Sequence, residues 1–319
     1  MLRVFVPRPE AFSFSFPIRP WMQTATAEIY FVRNTQPREL QAALSFRVSG
    51  RAPELWNAGD GAAVTAPAYT ETQDGRTEIP LTFPAKGSVF VVFARPAQRH
   101  LVKIEKDGTL VFPSIDQGAG VFADGDRGFV ATAPGAYTAM DSEGNRKTFA
   151  VSAAQLEAPA AASWTLSFPA GWGAPSSVPV QRFESWTQSA DPGIRYFSGT
   201  AVYRTTVKVP ASLAASSRQV WLQLGQVREI ATVRVNGREA NTLWRQPFAA
   251  RIDPFLRAGD NVVEVEVSNL WPNRLIGDLQ PGATRKFTRT NVRAYTADSP
   301  LLPSGILQPV LLTIGTLVR

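Results

Sequence analysis

Cysteine is absent from the 319 residues, so neither a disulfide framework nor thiolate metal ligation is available to this chain. Histidine occurs once, at His100, which leaves no partner for a multi-histidine metal site and argues against a Ser-His-Asp relay. His100 follows Gln98-Arg99 just ahead of an apolar segment, the setting of a surface or linker histidine rather than of a general base. No apolar run reaches the roughly 20 residues of a membrane-spanning helix, so no membrane partner is expected. The opening stretch MLRVFVPRPEAFSFSFPIRPWMQ carries one early arginine, is interrupted by Pro7, Pro9 and Pro17, and offers no small-residue cleavage site. An ordinary secretory leader is therefore not expected there. Helical periodicity is scarce as well, confined to short stretches near 153–160 and 211–216.

What is present is a basic, turn-rich chain. Thirty-three Lys and Arg against 26 Asp and Glu give a formal charge of +7 and a pI near 10.0, which raises nucleic acid or acidic polysaccharide as a partner. The arginines are scattered singly, with no basic run and no helix able to enter a groove, so nucleic acid is the weaker of the two. Hydrophobic residues make up 44%, and 25 Pro and 23 Gly are spread along the chain rather than clustered. Many short elements separated by many turns imply an all-β protein, and the length allows two β-sandwich domains.

The first strand-like segments are Glu28 to Arg33 and Leu40 to Val48, which read as a hairpin or as adjacent antiparallel strands. Thr77 to Phe83 and the apolar run Gly87 to Ala94 continue a first sandwich that ends near Arg95-Pro96. From Leu101 the rhythm changes to small hairpins around Lys106-Asp107-Gly108 and around 141–145. The Ala- and Pro-rich segment 157–163 reads as a linker. Beyond it come Trp164 to Phe168, the alternating Thr200 to Val209, and Ile306 to Ile314. The expected division is an atypical segment 1–26, a β-sandwich over 27–96 that need not be complete, and a jelly roll over 97–319.

The segment from Trp221 to Asp278 holds the densest pattern. Val233 and Val235 alternate with Thr232 and Arg234, and Asn236-Gly237 then supplies a tight hairpin turn. Val263, Val265 and Val267 share one strand face and Glu264 and Glu266 the other. Two carboxylates at that spacing mimic a catalytic dyad, but alternation with valine marks a solvated sheet face. Asp124-Gly125-Asp126 invites a calcium reading, yet the loop lacks the further spaced acids of a calcium loop and reads as an acidic turn.

With those segments in hand the chain resembles the C-terminal, non-barrel portion of α-L-rhamnosidases of glycoside hydrolase family 106. The motifs that carry it are AEIYFVRN at Ala27 to Asn34, LSFRVSGRAPELWNAGDG at Leu44 to Gly61, FPAGWGAP at Phe168 to Pro175, and GIRYFSGTAVYRTTVKVP at Gly193 to Pro210. NLWPNRLIGD at Asn269 to Asp278 and DSPLLPSGILQPV at Asp298 to Val310 complete the set. The second half also resembles the galactose-binding-like jelly roll that serves family 2 glycosidases as a sugar-binding domain. The resemblance implies hydrolysis of terminal α-L-rhamnosyl linkages by a whole enzyme whose acid and base sit on an N-terminal barrel, and export of that enzyme to the periplasm or cell exterior. A barrel needs about 250 residues, and only 26 precede Ala27, so this chain is expected to be a truncated, non-catalytic accessory portion without catalytic residues, cofactor or metal.

What remains is recognition. Sugar binding uses an aromatic platform against the apolar face of a pyranose with polar side chains on its hydroxyls. Trp244, Trp271, Asn273, Arg274 and Asp278 have the required chemistry, and Trp172 is a further loop aromatic. The competing reading puts Trp271 in the core and makes Arg274 and Asp278 an internal salt bridge. Carbohydrate, here a rhamnose-containing glycan, a catalytic barrel, or another chain are the partners these features suit. The alternative function is an interaction module using an exposed sheet edge.

Overall fold

The period-2 alternation read in the sequence becomes antiparallel strand pairing, with one isolated parallel bridge, Thr82 to Ser114, among the described residues. The computed structural model describes residues 22–318 except 60, 119, 125–127, 157, 159–160, 162 and 292–293. Its described residues fall into two units, Met1–Glu157 with Ile314–Arg319, and Ala158–Thr313.

In the first unit, β1 (Glu28–Arg33), β2 (Leu40–Phe46), β3 (Arg51–Trp56), β4 (Thr77–Phe83) and β5 (Ser88–Pro96) make two facing sheets. One runs Met22–Gln23, β1, β5, β3, Ala63–Thr65; the other runs β2, β4, Thr70–Glu71. Strands β1 and β2 are thus not paired with each other as the sequence suggested. Both have an apolar face, Tyr30 and Val32 on one and Leu44 and Phe46 on the other, and both faces belong to one core. Opposing sheets accommodate that where a hairpin would not, and the Tyr30 and Phe46 rings meet edge to face at 4.9 Å. Asn34 secures the crossing by donating to the carbonyls of Arg38 and Pro84.

Residues beyond 96 do not join the jelly roll directly. Strands β6 (Leu101–Lys106), β7 (Val121–Ala123), β8 (Phe129–Ala131), β9 (Gly135–Asp141) and β10 (Arg146–Val151) follow. They surround a second small core containing Ile104, Val121, Phe129, Tyr137, Ala139 and Val151. Val318 joins that core from the far end of the chain, because residues 316–318 pair with β8. Residues 101–151 thus pack within the first unit, whose main segment runs to Glu157. Asp124 lies at the end of β7, and Asp126 falls outside the described residues. Most of the atypical segment 1–26 does so too.

The second unit is a jelly roll built on one large sheet. In chain order its strands are β11 (Trp164–Ser167), β12 (Ser177–Val180), β13 (Thr200–Val209), β14 (Gln219–Gln223), β15 (Ile230–Val235), β16 (Arg238–Leu243), β17 (Ala249–Arg251) and β18 (Gly259–Ser268). The sheet order is β12, β11, β13, β18, β15, β16, while β14 pairs with β17. Asn236 and Gly237 take positive φ of 52° and 78°, the two-residue hairpin turn between β15 and β16. Val233, Val235, Val263, Val265 and Val267 are fully buried, each contributing about 1.5–3 kcal/mol of transfer free energy. Glu264 and Glu266 lie on the opposite face, where Arg204 reaches the first at 3.2 Å and Arg234 the second at 3.1 Å. They are an arginine-paired outer face. Helices are short: α1 (Pro192–Arg195), α2 (Ala211–Ala214) and α3 (Pro272–Gly277). The expected strand Ile306 to Ile314 splits at Pro309, which has no N–H to offer a ladder, into Gly305–Ile306 and β19 (Leu311–Val318).

Candidate functional site

Strand register gathers several loops at one end of the large sheet. Thr200 at the start of β13 and Ile230 at the start of β15 both face Ser268, the last residue of β18. Leu243 at the end of β16 faces Ala231, and Ser167 at the end of β11 faces Val202. The segments before Thr200, after Ser167, after Leu243 and after Ser268 therefore all leave the sheet at the same end. Trp172, Trp244 and Trp271 each sit on one of them.

The loop after Ser268 is held by buried amides and an ion pair. Asn269 donates to the Phe197 carbonyl at 2.8 Å and to Ser304 Oγ at 3.0 Å, and accepts from the Gly199 N–H at 2.8 Å. Asn273 donates to the Leu302 carbonyl at 2.7 Å and to Ser304 Oγ at 2.9 Å, and accepts the Leu302 N–H at 2.8 Å. Arg274 Nε donates to Asp278 Oδ1 at 3.0 Å across one turn of α3, with both side chains 6% exposed. The other oxygen of Asp278 accepts from the N–H of Phe287, the N–H of Thr288 and the Thr288 hydroxyl at 2.9, 2.7 and 2.6 Å. Burial pushes the Arg274 guanidinium below its ordinary value, and Asp278 pulls the other way.

Asn273, Arg274 and Asp278 are thus committed to their own backbone and to each other. Their burial and internal hydrogen bonds brace the loop on which Trp271 sits. Trp271, by contrast, is not in the core. It is 54% exposed at the start of α3. The half-buried Trp172 ring lies 5.9 Å from it, tilted by 56°, and stacks on Phe287 at 6.3 Å. Phe287 in turn carries the Arg274 guanidinium at 4.6 Å and that of Arg285 at 4.9 Å. Leu270 and Leu279, both about half exposed, extend the apolar surface beside Trp271. Trp244 is 57% exposed on the loop after β16 at the same sheet end.

Sequence reasoning missed Phe287, Arg285 and Asn269. The first two lie in a stretch without strand or helix pattern, and their link to Trp172 spans more than a hundred residues. Asn269 opens the quoted NLWPN motif, where an asparagine just past a strand end was the available signal. Behind the loops, Tyr203 accepts hydrogen bonds from Trp186 Nε1 at 2.7 Å and from the Ile306 N–H at 3.2 Å. Burial raises that phenol to about 12, against the pull of those two donors. The exposed Trp271 on a fastened loop, backed by the half-buried Trp172 of a neighbouring loop, can stack on a sugar ring. Among the described residues no group of three or more metal-ligating side chains occurs.

The comparisons with known proteins agree on a carbohydrate-active context. The family described as "Glycosyl hydrolases family 2, sugar binding domain" matches residues 143–290. A Formosa agariphila protein named "Putative beta-glucuronidase" is 31% identical over 271 residues, covering 76% of this chain and 22% of that protein. The solved rhamnosidase of Novosphingobium sp. PP1Y is 33% identical with a TM-score of 0.69, covering 92% of this chain and 23% of that one. The chain therefore contains a glycoside-hydrolase-associated sugar-binding domain region and spans less than a quarter of the length of these two relatives.

Proposed function

We propose that this chain is the non-catalytic accessory portion of an α-L-rhamnosidase-like glycoside hydrolase, and that it binds a rhamnose-containing glycan on the aromatic loop end of its jelly roll. The observation that carries this reading is Trp271, half exposed on a loop whose polar side chains are all spent on holding it still. A rigid aromatic loses little entropy on binding, which is how such platforms gain affinity. Trp271 is the platform, Trp172 packs against it and itself stacks on Phe287, and Trp244 lies on another loop at the same sheet end. Asn273, Arg274 and Asp278 are positioning residues. The rhamnosidase likeness over 92% of the chain supports the choice of substrate class. A barrel domain is the natural partner, supplying the acid and base that this loop end does not.

The test is release of chromophore from a chromogenic α-L-rhamnoside by the pure protein. No turnover above the uncatalysed rate is expected. Turnover abolished by a single carboxylate substitution would overturn the non-catalytic assignment.

A further inference from the structure

The one histidine does not sit as a bare surface residue. In the first unit it lines a cleft of about 770 Å³, within the size range of small-ligand pockets. Its ring stacks flat on the buried Tyr69 at 3.7 Å and 5°. Its Nδ1 is 2.7 Å from the Gln98 carbonyl, so Nδ1 carries the proton in that bond and Nε2 of the neutral ring is an acceptor. That Nε2 is buried in the cleft wall with no hydrogen-bond partner. A buried acceptor left unmet is costly, and a hydroxyl that reaches it recovers the loss.

The remaining walls are cationic and apolar. Arg99 is neutralised by Asp141 at 2.6 Å, which holds it at one rim. Arg146, exposed at the start of β10, makes no ion pair among the described residues. Beside it Lys147 lies 4.9 Å over the Phe149 ring, which with Phe129 and Tyr69 forms the aromatic part of the wall. Cation, unmet acceptor and apolar wall in one cleft ask for a ligand with an anion, a hydroxyl and a CH-rich face together.

We propose that this cleft is a second saccharide site, selective for acidic sugars. A carboxylate or sulfate is held by Arg146 and Lys147, a ring hydroxyl donates to His100 Nε2, and the apolar ring face packs toward Phe149. The site also gives a use to part of the +7 charge, which the aromatic loop end does not draw upon. It is independent of the rhamnose reading and stands or falls without it.

Because His100 is the only histidine, its two imidazole C–H protons report on a single site in the NMR spectrum of the full chain. At constant pH and ionic strength, trigalacturonic acid, a sulfated disaccharide, maltotriose and sodium sulfate are titrated separately. A saturable shift with trigalacturonic acid, the sulfated sugar or both is expected, the two arms distinguishing carboxylate from sulfate. Maltotriose and sodium sulfate are expected to bind at least about tenfold more weakly, since each offers only part of the pattern. Arg146→Ala, at an exposed position without an ion pair among the described residues and checked for an unchanged melting temperature, is expected to weaken the acidic sugar about fivefold, the loss of one charge-assisted contact. No saturable shift with either acidic sugar, equal binding of maltotriose or of sodium sulfate, or unchanged affinity in R146A would each overturn the proposal.

Discussion

Replacing Asp278 by alanine leaves the Arg274 guanidinium buried without its counter-ion and removes the acceptor of three further donors, at Phe287 and Thr288. Breaking a buried pair from one side costs about 3–5 kcal/mol, because the surviving charge can no longer be compensated. The Phe287 and Thr288 groups are only part-buried, so water recovers most of their loss and the total stays near the upper end of that range. With a urea slope of about 2 kcal/mol per molar for a unit of this size, the midpoint falls by about 2–2.5 M. Six of the eight tryptophans, at 164, 172, 186, 221, 244 and 271, lie in the second unit, so intrinsic fluorescence follows it. The double variant Arg274→Met, Asp278→Leu removes both charges and is expected to be less destabilised than D278A alone. A midpoint within about 0.5 M of wild type for D278A, or a double variant worse than the single, would refute the reasoning, since either implies a solvated pair.

Three other outcomes are expected. Tyr203→Phe strands the Trp186 indole N–H and the Ile306 N–H and should cost about 1–3 kcal/mol in the same urea assay. Gly193→Ala places a Cβ against the Gly173 carbonyl oxygen, inside van der Waals contact, and should displace the loop that carries Trp172; altered near-UV circular dichroism with little loss of far-UV signal would report it. Asp141 is the acid-sensitive group. Burial alone would raise its carboxyl, but hydrogen bonds from Arg99, from Asn145 and from the Glu143 and Asn145 backbone outweigh that and hold it at about 2, below the ordinary 3.8. A depressed carboxyl stabilises the fold above its unfolded value, so the contribution is complete above about pH 4 and is lost as pH falls through about 2. Asp141→Asn should flatten the pH dependence of the melting temperature in that window, and an unchanged slope would contradict the assignment.

The parts legible in the sequence were those whose cause is local. The Asn236-Gly237 turn, the Val263 to Val267 alternation and the outward face of Glu264 and Glu266 depend on neighbours within a few residues or on strand period alone, whereas the arginines that pair those glutamates come from other strands. Partners across long separations were not legible. Periodicity marks β1 and β2 as strands but does not say that they face each other from two sheets. Nothing near residue 316 announces that the chain end closes a core begun at Ile104. At the loop end, NLWPNRLIGD presented the right residue types, but burial sorts them: Asn273 bonds Leu302, Asp278 bonds Thr288, and only Trp271 is left to the solvent. His100 was read from its flanking residues, whereas its environment comes from Tyr69 and from β9 and β10, which the flanks do not encode.

Trp271 as a sugar platform makes a quantitative prediction about binding. Titration calorimetry of a rhamnose-containing oligosaccharide into the full chain and into Trp271→Ala, both checked for an unchanged melting temperature, tests it most directly. Saturable heat for the wild type and about 5- to 30-fold weaker binding for W271A, the loss typical of a truncated aromatic hot spot, is the expected result. No heat at millimolar sugar, or equal affinity in the two proteins, would contradict it.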